Sequence, residues 1–280
     1  MIHRFLELLM RYQLLTATLI VFLSGCAQLG NFSPTKSLEM HLIYQPTPFP
    51  DDFDDSGLPF EDVRFTSHDG TELHGWFADH DEPLGVALFC HGNAGNILGC
   101  GESMMILNQR HRLAVMAFDY RGFGQSQGKP DEQGILADAR AARSWVAQRK
   151  GIPESQVILM GRSLGGAVAV DLAAQDGARG LVLASTFTSM PKVAKRIAPL
   201  VPTNLIMTQR WNSLAKIKHY HGPLLQSHGD ADELIPIQQG KQLFDAAPGA
   251  KTFVVIPNAG HNDPQSEEYR LKLEEFLHRL

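Results

Sequence analysis

This sequence has no basic stripe, few cysteines and no repeats. Its 280 residues carry a formal net charge of -5, and no stripe of lysine and arginine alternates with aromatic residues, which argues against a nucleic-acid-binding protein. Three cysteines are too few for a disulfide framework. No internal repeat or long low-complexity tract is present. The length instead suits one large α/β domain with a sizeable core.

The three cysteines are Cys26, Cys90 and Cys100. Cys90 ends a segment predicted to be a buried strand, and Cys100 follows it in a loop or at the start of a helix. The favoured interpretation is two free thiols packed in the same neighbourhood. If the domain is exported, a disulfide between Cys90 and Cys100 is the alternative that the sequence leaves open.

Cofactor and metal motifs are also missing. The glycine-rich segment His91–Asn96 is not followed by Gly-Lys-Ser or Gly-Lys-Thr, which a phosphate-binding loop requires. The histidines and acidic residues do not have the spacing of metal ligands. We therefore predict that the protein uses no cofactor and no metal ion. The sequence does not indicate the oligomeric state.

The N-terminal segment has the pattern of an export signal. Arg4 and Arg11 precede an apolar run, Leu14–Leu23, that is shorter than a membrane-spanning helix requires but suits the core of a signal peptide. The run ends in Leu-Ser-Gly-Cys, which resembles the lipobox of bacterial lipoproteins. That resemblance implies that residues 1–25 are removed and that Cys26 becomes the lipidated first residue of the mature protein. The alternative is an uncleaved N-terminal anchor helix with an incidental cysteine.

The lipobox resemblance also implies a location. Ala27 carries no inner-membrane retention signal by analogy with lipoproteins, which favours the periplasmic face of the outer membrane. Several acyl chains on Cys26 would hold the protein there, since firm anchoring takes two or more chains. Residues 26–57 are rich in proline, aspartate, serine and asparagine, which predicts a tether that settles onto the domain.

Apolar segments alternate with helical segments through residues 58–280, which we predict to form one domain. Strands are predicted at Glu61–Thr66, Glu72–Ala78, Gly85–Cys90, Leu113–Phe118, Val157–Met160, Gly180–Ala184, Pro223–Ser227 and Lys251–Ile256. Helices are predicted at Gly101–Gln109, Glu132–Arg149, from Ser163 to about Ala174, at Ile237–Ala246 and at Ser266–Leu280. This alternation indicates an α/β fold with a mainly parallel eight-stranded sheet and helices on both faces. In such sheets the chemistry lies at the carboxyl ends of the strands.

Residues 186–221 interrupt the alternation. Three prolines separate short apolar pieces there, and no strand pattern is evident, so we predict a small helical cap over the site. Five residues have two interpretations, the lining of an acyl pocket or the packing of the cap onto the domain: Met190, Ile197, Leu200, Ile206 and Trp211.

The segment Val157–Ala169 has the sequence of a strand, a sharp turn and a helix. Four apolar residues lead into Gly-x-Ser-x-Gly, and small apolar residues follow it. This spacing places Ser163 in a strained, accessible turn between strand and helix. Side chains at Gly161 and Gly165 would clash with the neighbouring strand or helix, which accounts for both glycines. The N–H groups at the start of the helix favour negative charge beside Ser163.

A serine nucleophile of this kind needs an acid and a base that follow it in the order Ser, Asp or Glu, His. His261 lies on the loop after the last predicted strand, and that position singles it out among twelve histidines. The loop after the preceding strand offers three candidates for the acid: Asp230, Asp232 and Glu233. The residue order alone does not choose between them.

The loop with the three acids carries a family resemblance. Its string His-Gly-x-x-Asp-x-x-x-Pro, which begins at His228, and the later Gly-His are similar to those of the α/β-hydrolase superfamily. The resemblance covers about residues 61–280 and implies an α/β-hydrolase fold with Asp232, at the fifth position of the string, as the acid. Asp232 would then orient the imidazole and stabilise its charged form. Asp230 is expected to brace the turn, and Glu233 is expected to face solvent.

Three further strings resemble one branch of that superfamily. Gly-Arg-Ser-Leu-Gly-Gly-Ala-Val, His-Gly-Asn-Ala-Gly-Asn and Gly-His-Asn-Asp are typical of the lid-poor branch near the serine-aminopeptidase-like and acyl-thioesterase-like hydrolases. The segment Ala184–Ser189 departs from the pattern, because relatives often carry Glu-Asn-Thr-Phe there. Without that acid, we expect the floor of the site to be braced differently.

An oxyanion hole needs two donors aimed at the developing charge. The N–H of Leu164, the residue after the nucleophile, is the first. The second is expected from the loop after the third strand, and the resemblance implies the N–H of Asn93. Gly92 and Gly95 allow the backbone of this loop to turn toward a ligand. A role for Asn96 as the N-cap of the next helix is compatible with this assignment.

The segment Asp119–Ser126 resembles the superfamily's loop after the fourth strand. We predict that it forms a turn beside the site that is braced by Arg121. A catalytic carboxylate at Asp119 is the alternative, and the expected order of the triad disfavours it.

These features imply a serine hydrolase that cleaves a carboxylic ester or thioester through an acyl-enzyme. One alternative is a serine aminopeptidase-like peptidase, for which Asp230, Glu233 or Asp263 would bind the substrate amine. The other is a non-catalytic, surface-tethered binding protein on a hydrolase scaffold. The expected partners are a small-molecule or acylated substrate and, through Cys26, a membrane, but not a nucleic acid.

Overall fold

Residues 34–53 and 57–280 are described by the structure, a computed structural model of the chain. Leu38–Leu280 form one compact unit, which contains the sheet. The predicted signal peptide and Cys26 lie outside the described residues. In the part of the chain that is described, no helix has the length and apolar character needed to span a membrane.

Eight strands form the central sheet. They are β1 (Glu61–Thr66), β2 (Glu72–Ala78), β3 (Gly85–Cys90), β4 (Leu113–Phe118), β5 (Val157–Arg162), β6 (Gly180–Ala184), β7 (Leu224–Gly229) and β8 (Lys251–Ile256). Their spatial order is β8-β7-β6-β5-β3-β4-β2-β1. Only β2 is antiparallel to its neighbours, β1 and β4, and the other pairs are parallel. The predicted α/β fold with a mainly parallel eight-stranded sheet is confirmed.

The helices follow the predicted alternation. They are α1 (Pro34–Ile43), α2 (Gly101–Met105), α3 (Glu132–Lys150), α4 (Leu164–Asp176), α5 (Met190–Ile197), α6 (Thr203–Ile206), α7 (Ser213–Lys216), α8 (Ile237–Ala246) and α9 (Glu267–Arg279). A 3₁₀ turn (Ile97–Cys100) precedes α2, and a π turn (Ile106–Arg110) follows it. Helix α1 was not predicted, since its residues fall in the segment read as a tether.

The sheet separates two apolar cores. On β3, the side chains of Val86, Leu88 and Cys90 belong to one core and that of Ala87 to the other, because successive strand residues point to opposite faces. Helices α3 and α4 supply the first core, and α9 supplies the second. A strand covered on both faces is apolar at nearly every position, which is why a continuous apolar run located β3 and β4 correctly.

The boundaries differ from prediction at two strands. Strand β5 continues to Arg162 and so reaches the residue before Ser163. Strand β7 begins at Leu224 rather than Pro223, since proline has no N–H to donate to the ladder.

The segment between β6 and β7 contains the short helices α5, α6 and α7. Of the five residues with two interpretations, Met190 and Trp211 are buried. Ile197, Leu200 and Ile206 are 64%, 94% and 55% exposed, so they do not pack the segment onto the sheet. For these three residues the packing interpretation is wrong, and the acyl-pocket interpretation stays a prediction.

Residues 38–49, which we call the strap, run beside the glycine-rich loop His91–Asn96. Gln45 and Pro46 pair in parallel with Ala94 and Gly95. The hydroxyl of Tyr44 donates to Gln209 Oε1 and accepts from Trp211 Nε1, both at 3.0 Å. The strap is thereby joined to the glycine-rich loop and to the segment between β6 and β7.

Candidate active site

Ser163 occupies the turn between β5 and α4 in a strained backbone conformation. Its φ and ψ are 53° and -117°, a region that costs a non-glycine residue about 1–3 kcal/mol. A Cβ on Gly161 would lie 2.1 Å from the carbonyl oxygen of Gly165, and a Cβ on Gly165 would lie 1.9 Å from that of Cys90. The predicted need for glycine at both positions is confirmed, because in each case the obstacle is backbone.

The floor beneath Ser163 is braced by Thr186. Its hydroxyl donates to the carbonyl oxygen of Ser163 at 2.8 Å, and the N–H of Gly166 donates to the same oxygen at 3.0 Å. A Cβ on Gly166 would lie 2.5 Å from Thr186 Oγ1. In Ala184–Ser189, the segment that departs from the superfamily pattern, the hydroxyl of Thr186 therefore stabilises the turn of Ser163.

Three side chains from the ends of β5, β7 and β8 form one hydrogen-bonded line. The hydroxyl of Ser163 lies 3.1 Å from His261 Nε2. His261 Nδ1 lies 2.8 Å from Asp232 Oδ2. The imidazole of His261 is 12% exposed and the carboxylate of Asp232 is fully buried. These carboxyl ends meet at one edge of the sheet because the three strands are parallel.

The carboxylate of Asp232 has partners on both oxygens. Oδ1 accepts from the N–H groups of Leu234 and Ile235 at 3.0 and 2.8 Å, and Oδ2 lies 3.3 Å from His228 Nε2. Burial raises the pKa of Asp232, but the hydrogen bonds from His228, His261 and Ile235 outweigh it and hold this pKa well below the ordinary value. Asp232 is therefore ionised at neutral pH.

The other acids have different partners. Asp230 Oδ1 accepts from the N–H of Asn258 at 2.6 Å, so it braces the neighbouring loop rather than its own turn. Asp263 Oδ2 accepts from the N–H of Gly260 at 2.7 Å. Glu233 is exposed, as expected. Two of the three acids considered for amine binding thus stabilise the loop that carries the imidazole.

Asp119 lies in a different network. Its buried carboxylate accepts from the N–H of Ile97 at 2.8 Å and lies 3.3 Å from His74 Nδ1. Among the described residues it has no hydrogen bond or ion pair with His261. The guanidinium of Arg121 binds Asp138 and Asp69 at 2.7 and 2.8 Å, which confirms that the turn is braced by Arg121.

The loop His91–Asn96 lies against Ser163. A Cβ on Gly92 would be 3.9 Å from the Cβ of Ser163. Within the described chain, the backbone N–H groups of Leu164 and Asn93 donate to no other residue. Two unpaired amides beside a serine are suited to bind an oxyanion. Asn96 is the N-cap of the following 3₁₀ turn, so this expectation is confirmed.

The strap holds the loop from outside. The side-chain amide of Asn93 donates to the carbonyl oxygen of Ile43, and the N–H of Gln45 donates to the carbonyl oxygen of Asn93, both at 2.9 Å. Asn96 Nδ2 donates to the carbonyl oxygen of Thr47 at 3.1 Å. The orientation of the Asn93 peptide thus depends on residues some fifty positions earlier in the chain.

Sequence reasoning missed two contributors. The guanidinium of Arg162 donates to the carbonyl oxygen of His261, which connects the turn of Ser163 to the loop of His261. The imidazole of His228 donates from Nε2 to the carbonyl oxygen of Ile235 at 2.8 Å and so supports the loop of Asp232. The role of His228 could have been predicted from the string His-Gly-x-x-Asp-x-x-x-Pro, which it begins. Nothing in the sequence around Arg162 predicts its contact with His261.

Cys90 and Cys100 are free and buried. Burial raises the pKa of the Cys100 thiol to about 12. The interpretation as two free thiols is confirmed, and the alternative disulfide is wrong. Among residues 34–53 and 57–280, no cluster of histidine, cysteine and acidic side chains has an arrangement that could hold a metal ion.

Comparison with known proteins places this geometry in context. Residues 86–213 match the model of a family described as alpha/beta hydrolase fold. An uncharacterized protein of Mycobacterium tuberculosis is 36% identical over 241 residues, which cover 85% of each chain. The alpha/beta hydrolase domain-containing protein WAV2 of Arabidopsis thaliana is 34% identical over 226 residues, 74% of this chain and 73% of that one.

A solved structure shares the fold at lower identity. The esterase Pf2001 of Pyrococcus furiosus superposes with a TM-score of 0.68 and 21% identity, over 84% of this chain and 98% of that one. At this identity the similarity establishes the common fold alone.

Replacement of Gly165 by alanine tests the backbone contact at the turn. The added methyl group would lie 1.9 Å from the carbonyl oxygen of Cys90, and we expect a loss of about 1–3 kcal/mol or more in the free energy of unfolding. Urea denaturation measures it. Gly99→Ala is the matched control, because no atom lies within 4 Å of the added methyl group. Equal stability of the two variants would contradict the packing described.

The lowered pKa of Asp232 predicts a pH-dependent contribution to stability. A carboxyl whose pKa is depressed on folding stabilises the protein above its unfolded pKa of about 4, and this contribution disappears as the pH falls toward the folded pKa. Asp232→Asn is therefore expected to unfold at lower urea concentration than wild type at pH 7, with a difference that shrinks below about pH 4. The exposed Asp245 on α8 supplies the control Asp245→Asn, for which the difference should stay small throughout. If the difference in stability between wild type and Asp232→Asn does not change with pH, the pKa of Asp232 is not lowered on folding.

Proposed function

Since the chain belongs to the alpha/beta hydrolase family, we propose that it is a serine hydrolase that cleaves a carboxylic ester or thioester through an acyl-enzyme intermediate. Ser163 is the nucleophile, His261 the general base and Asp232 the acid of the triad. The observation that carries the proposal is the line of hydrogen bonds from Ser163 Oγ to His261 Nε2 at 3.1 Å and from His261 Nδ1 to Asp232 Oδ2 at 2.8 Å.

In the first step Ser163 Oγ attacks the substrate carbonyl while His261 Nε2 takes the hydroxyl proton. The imidazolium then returns the proton to the leaving alcohol or thiol. A water molecule, activated by the same imidazole, attacks the acyl-enzyme and releases the carboxylic acid. Asp232 stays ionised throughout, in keeping with its depressed pKa, and keeps Nε2 of His261 directed at the serine.

The tetrahedral intermediate carries its negative charge on the former carbonyl oxygen. The proposed donors are the backbone N–H groups of Leu164 and Asn93, which are unpaired among the described residues. Each such donor contributes about 3 kcal/mol to stabilisation of the transition state. The hydrogen bonds between the strap and Asn93 support this role because they keep the donor oriented before substrate arrives.

The alternatives have weaker support. An aminopeptidase would need a free carboxylate at the amine-binding position, whereas Asp230 and Asp263 already accept from backbone amides. A non-catalytic binding protein would not need Ser163 in a strained turn beside a base. The assignment to the lid-poor branch near the serine aminopeptidases and acyl-thioesterases stays a prediction.

We propose further that Cys26 is lipidated and attaches the mature protein to the periplasmic face of the outer membrane. The support is the sequence Leu-Ser-Gly-Cys after a short apolar run. Acylation at this position would leave residues 26–57 as the connection to the hydrolase domain.

Replacement of Ser163 by alanine tests the nucleophile. We expect hydrolysis of a short p-nitrophenyl ester to fall at least about a thousandfold, and labelling by a fluorophosphonate probe to be lost. The control Ser144→Ala removes a hydroxyl on α3 and should retain full activity. An aminoacyl-naphthylamide assayed in parallel separates esterase from peptidase. Undiminished turnover by Ser163→Ala, or probe labelling elsewhere in the chain, would disprove the proposal.

Replacement of Cys26 by serine tests the anchor. In cells fed an alkyne analogue of palmitate, the wild-type chain should carry the label and partition into the detergent phase. Cys26→Ser should do neither, while the control Cys100→Ser should behave like wild type. Label retained in Cys26→Ser would exclude acylation at this residue.

A further inference from the structure

From the last residue of helix α5 to the last residue of helix α6, the surface exposes four large apolar side chains. Ile197, Leu200, Leu205 and Ile206 are 64%, 94%, 85% and 55% exposed. We call these four residues and their basic neighbours the cap face. Single exposed leucines such as Leu271 are normal on a protein surface, whereas four within ten residues mark an interaction surface.

The cap face lies in a segment with one sign of charge. No acidic residue occurs between Asp176 and Asp230, although the whole chain carries a net charge of -5. Four exposed cations in this segment lie next to the apolar residues in sequence: Lys192, Lys195, Arg196 and Arg210. Apolar side chains among lysines and arginines are the composition of a surface that binds anionic lipid.

The cations are placed beside the apolar side chains in space as well. The ammonium of Lys195 donates to the carbonyl oxygens of Pro199 and Val201, on either side of Leu200. The guanidinium of Arg210 donates to the carbonyl oxygens of Asn204 and Met207, the former at 2.8 Å. These bonds also satisfy backbone acceptors that would be costly to bring into an apolar phase.

The strap enters the domain beside the same surface. The carboxylate of Glu39 accepts from the N–H groups of Thr208 and Gln209 at 2.8 and 2.7 Å, two and three positions after Ile206. Leu38 and Leu42 on the same helix are 43% and 48% exposed. The N-terminal end of the strap therefore lies next to the cap face.

We propose that the cap face docks onto an anionic lipid bilayer. A second copy of this chain would bring two faces together whose own segment, between Asp176 and Asp230, carries cations and no acidic residue, which disfavours self-association through this surface. Each lysine or arginine near an anionic membrane strengthens binding about fivefold, and the four apolar side chains supply burial in the headgroup region. The docking does not depend on the catalytic role of Ser163.

The test measures the depth of a fluorescent probe in the full-length chain. Cys26→Ser leaves only the buried Cys90 and Cys100, so that Ile206→Cys gives one accessible thiol for labelling. Glu275→Cys, on α9, gives a remote site. With vesicles that contain phosphatidylglycerol and a nitroxide lipid, the probe at position 206 should be quenched and the probe at position 275 should not.

The charge requirement is tested with vesicles of phosphatidylcholine alone. We expect half-maximal quenching at position 206 to need at least about ten times more lipid than with phosphatidylglycerol. Leu200→Ser combined with Leu205→Ser should weaken quenching on anionic vesicles, while Leu271→Ser, an exposed leucine on α9, should not. Unchanged circular dichroism and p-nitrophenyl ester hydrolysis confirm that the variants are folded.

Three results would overturn the proposal. The first is equal quenching at positions 206 and 275, and the second is equal quenching with anionic and neutral lipid. The third is shielding of the probe at position 206 without vesicles as protein concentration rises, which would assign the surface to a second copy. Loss of ester hydrolysis in Ser163→Ala with intact quenching would show that docking and catalysis are separate properties.

Discussion

The close approach of backbone segments at the end of β5 is the contact on which the site depends. Gly165 packs against the carbonyl oxygen of Cys90 on β3, and Gly161 packs against that of Gly165. A flexible side chain could move aside, but these obstacles are peptide groups held in a sheet and a helix. The packing of β3, β5 and α4 therefore keeps Ser163 at a φ of 53°, against a strain of about 1–3 kcal/mol.

Hydrogen bonds to backbone groups position the loop of His261 at this turn. Gly229, at the end of β7, leaves room for that loop, because a Cβ there would lie 2.2 Å from the carbonyl oxygen of Ala259. Arg162 binds the carbonyl oxygen of His261, and Asp230 binds the N–H of Asn258. With the backbone of its loop held in this way, the imidazole of His261 can contact Ser163 and Asp232 together.

Two segments outside the central sheet surround the site, the strap and the segment between β6 and β7. The loop that carries Asn93 is held by the strap through a short parallel pairing, so a segment outside the sheet orients a proposed oxyanion donor. The segment between β6 and β7 buries Met190 and Trp211 but leaves Leu200 in solvent. Because this segment has no acidic residue, its net charge is positive, whereas the net charge of the whole chain is negative.

The sequence by itself determined the strands of the sheet, the glycines of the turn and the order of Ser163, Asp232 and His261, because buried strands are apolar runs and a tight turn admits few residue types. The choice of Asp232 over Asp230 came from a family resemblance, and in the structure it is Asp232 that contacts His261. Tertiary structure alone decided that the strap pairs with the loop of Asn93, that Arg162 contacts the loop of His261 and that Leu200 is exposed. Each of these features depends on tertiary contacts between segments far apart in the sequence, and the local pattern of apolar residues does not predict such contacts.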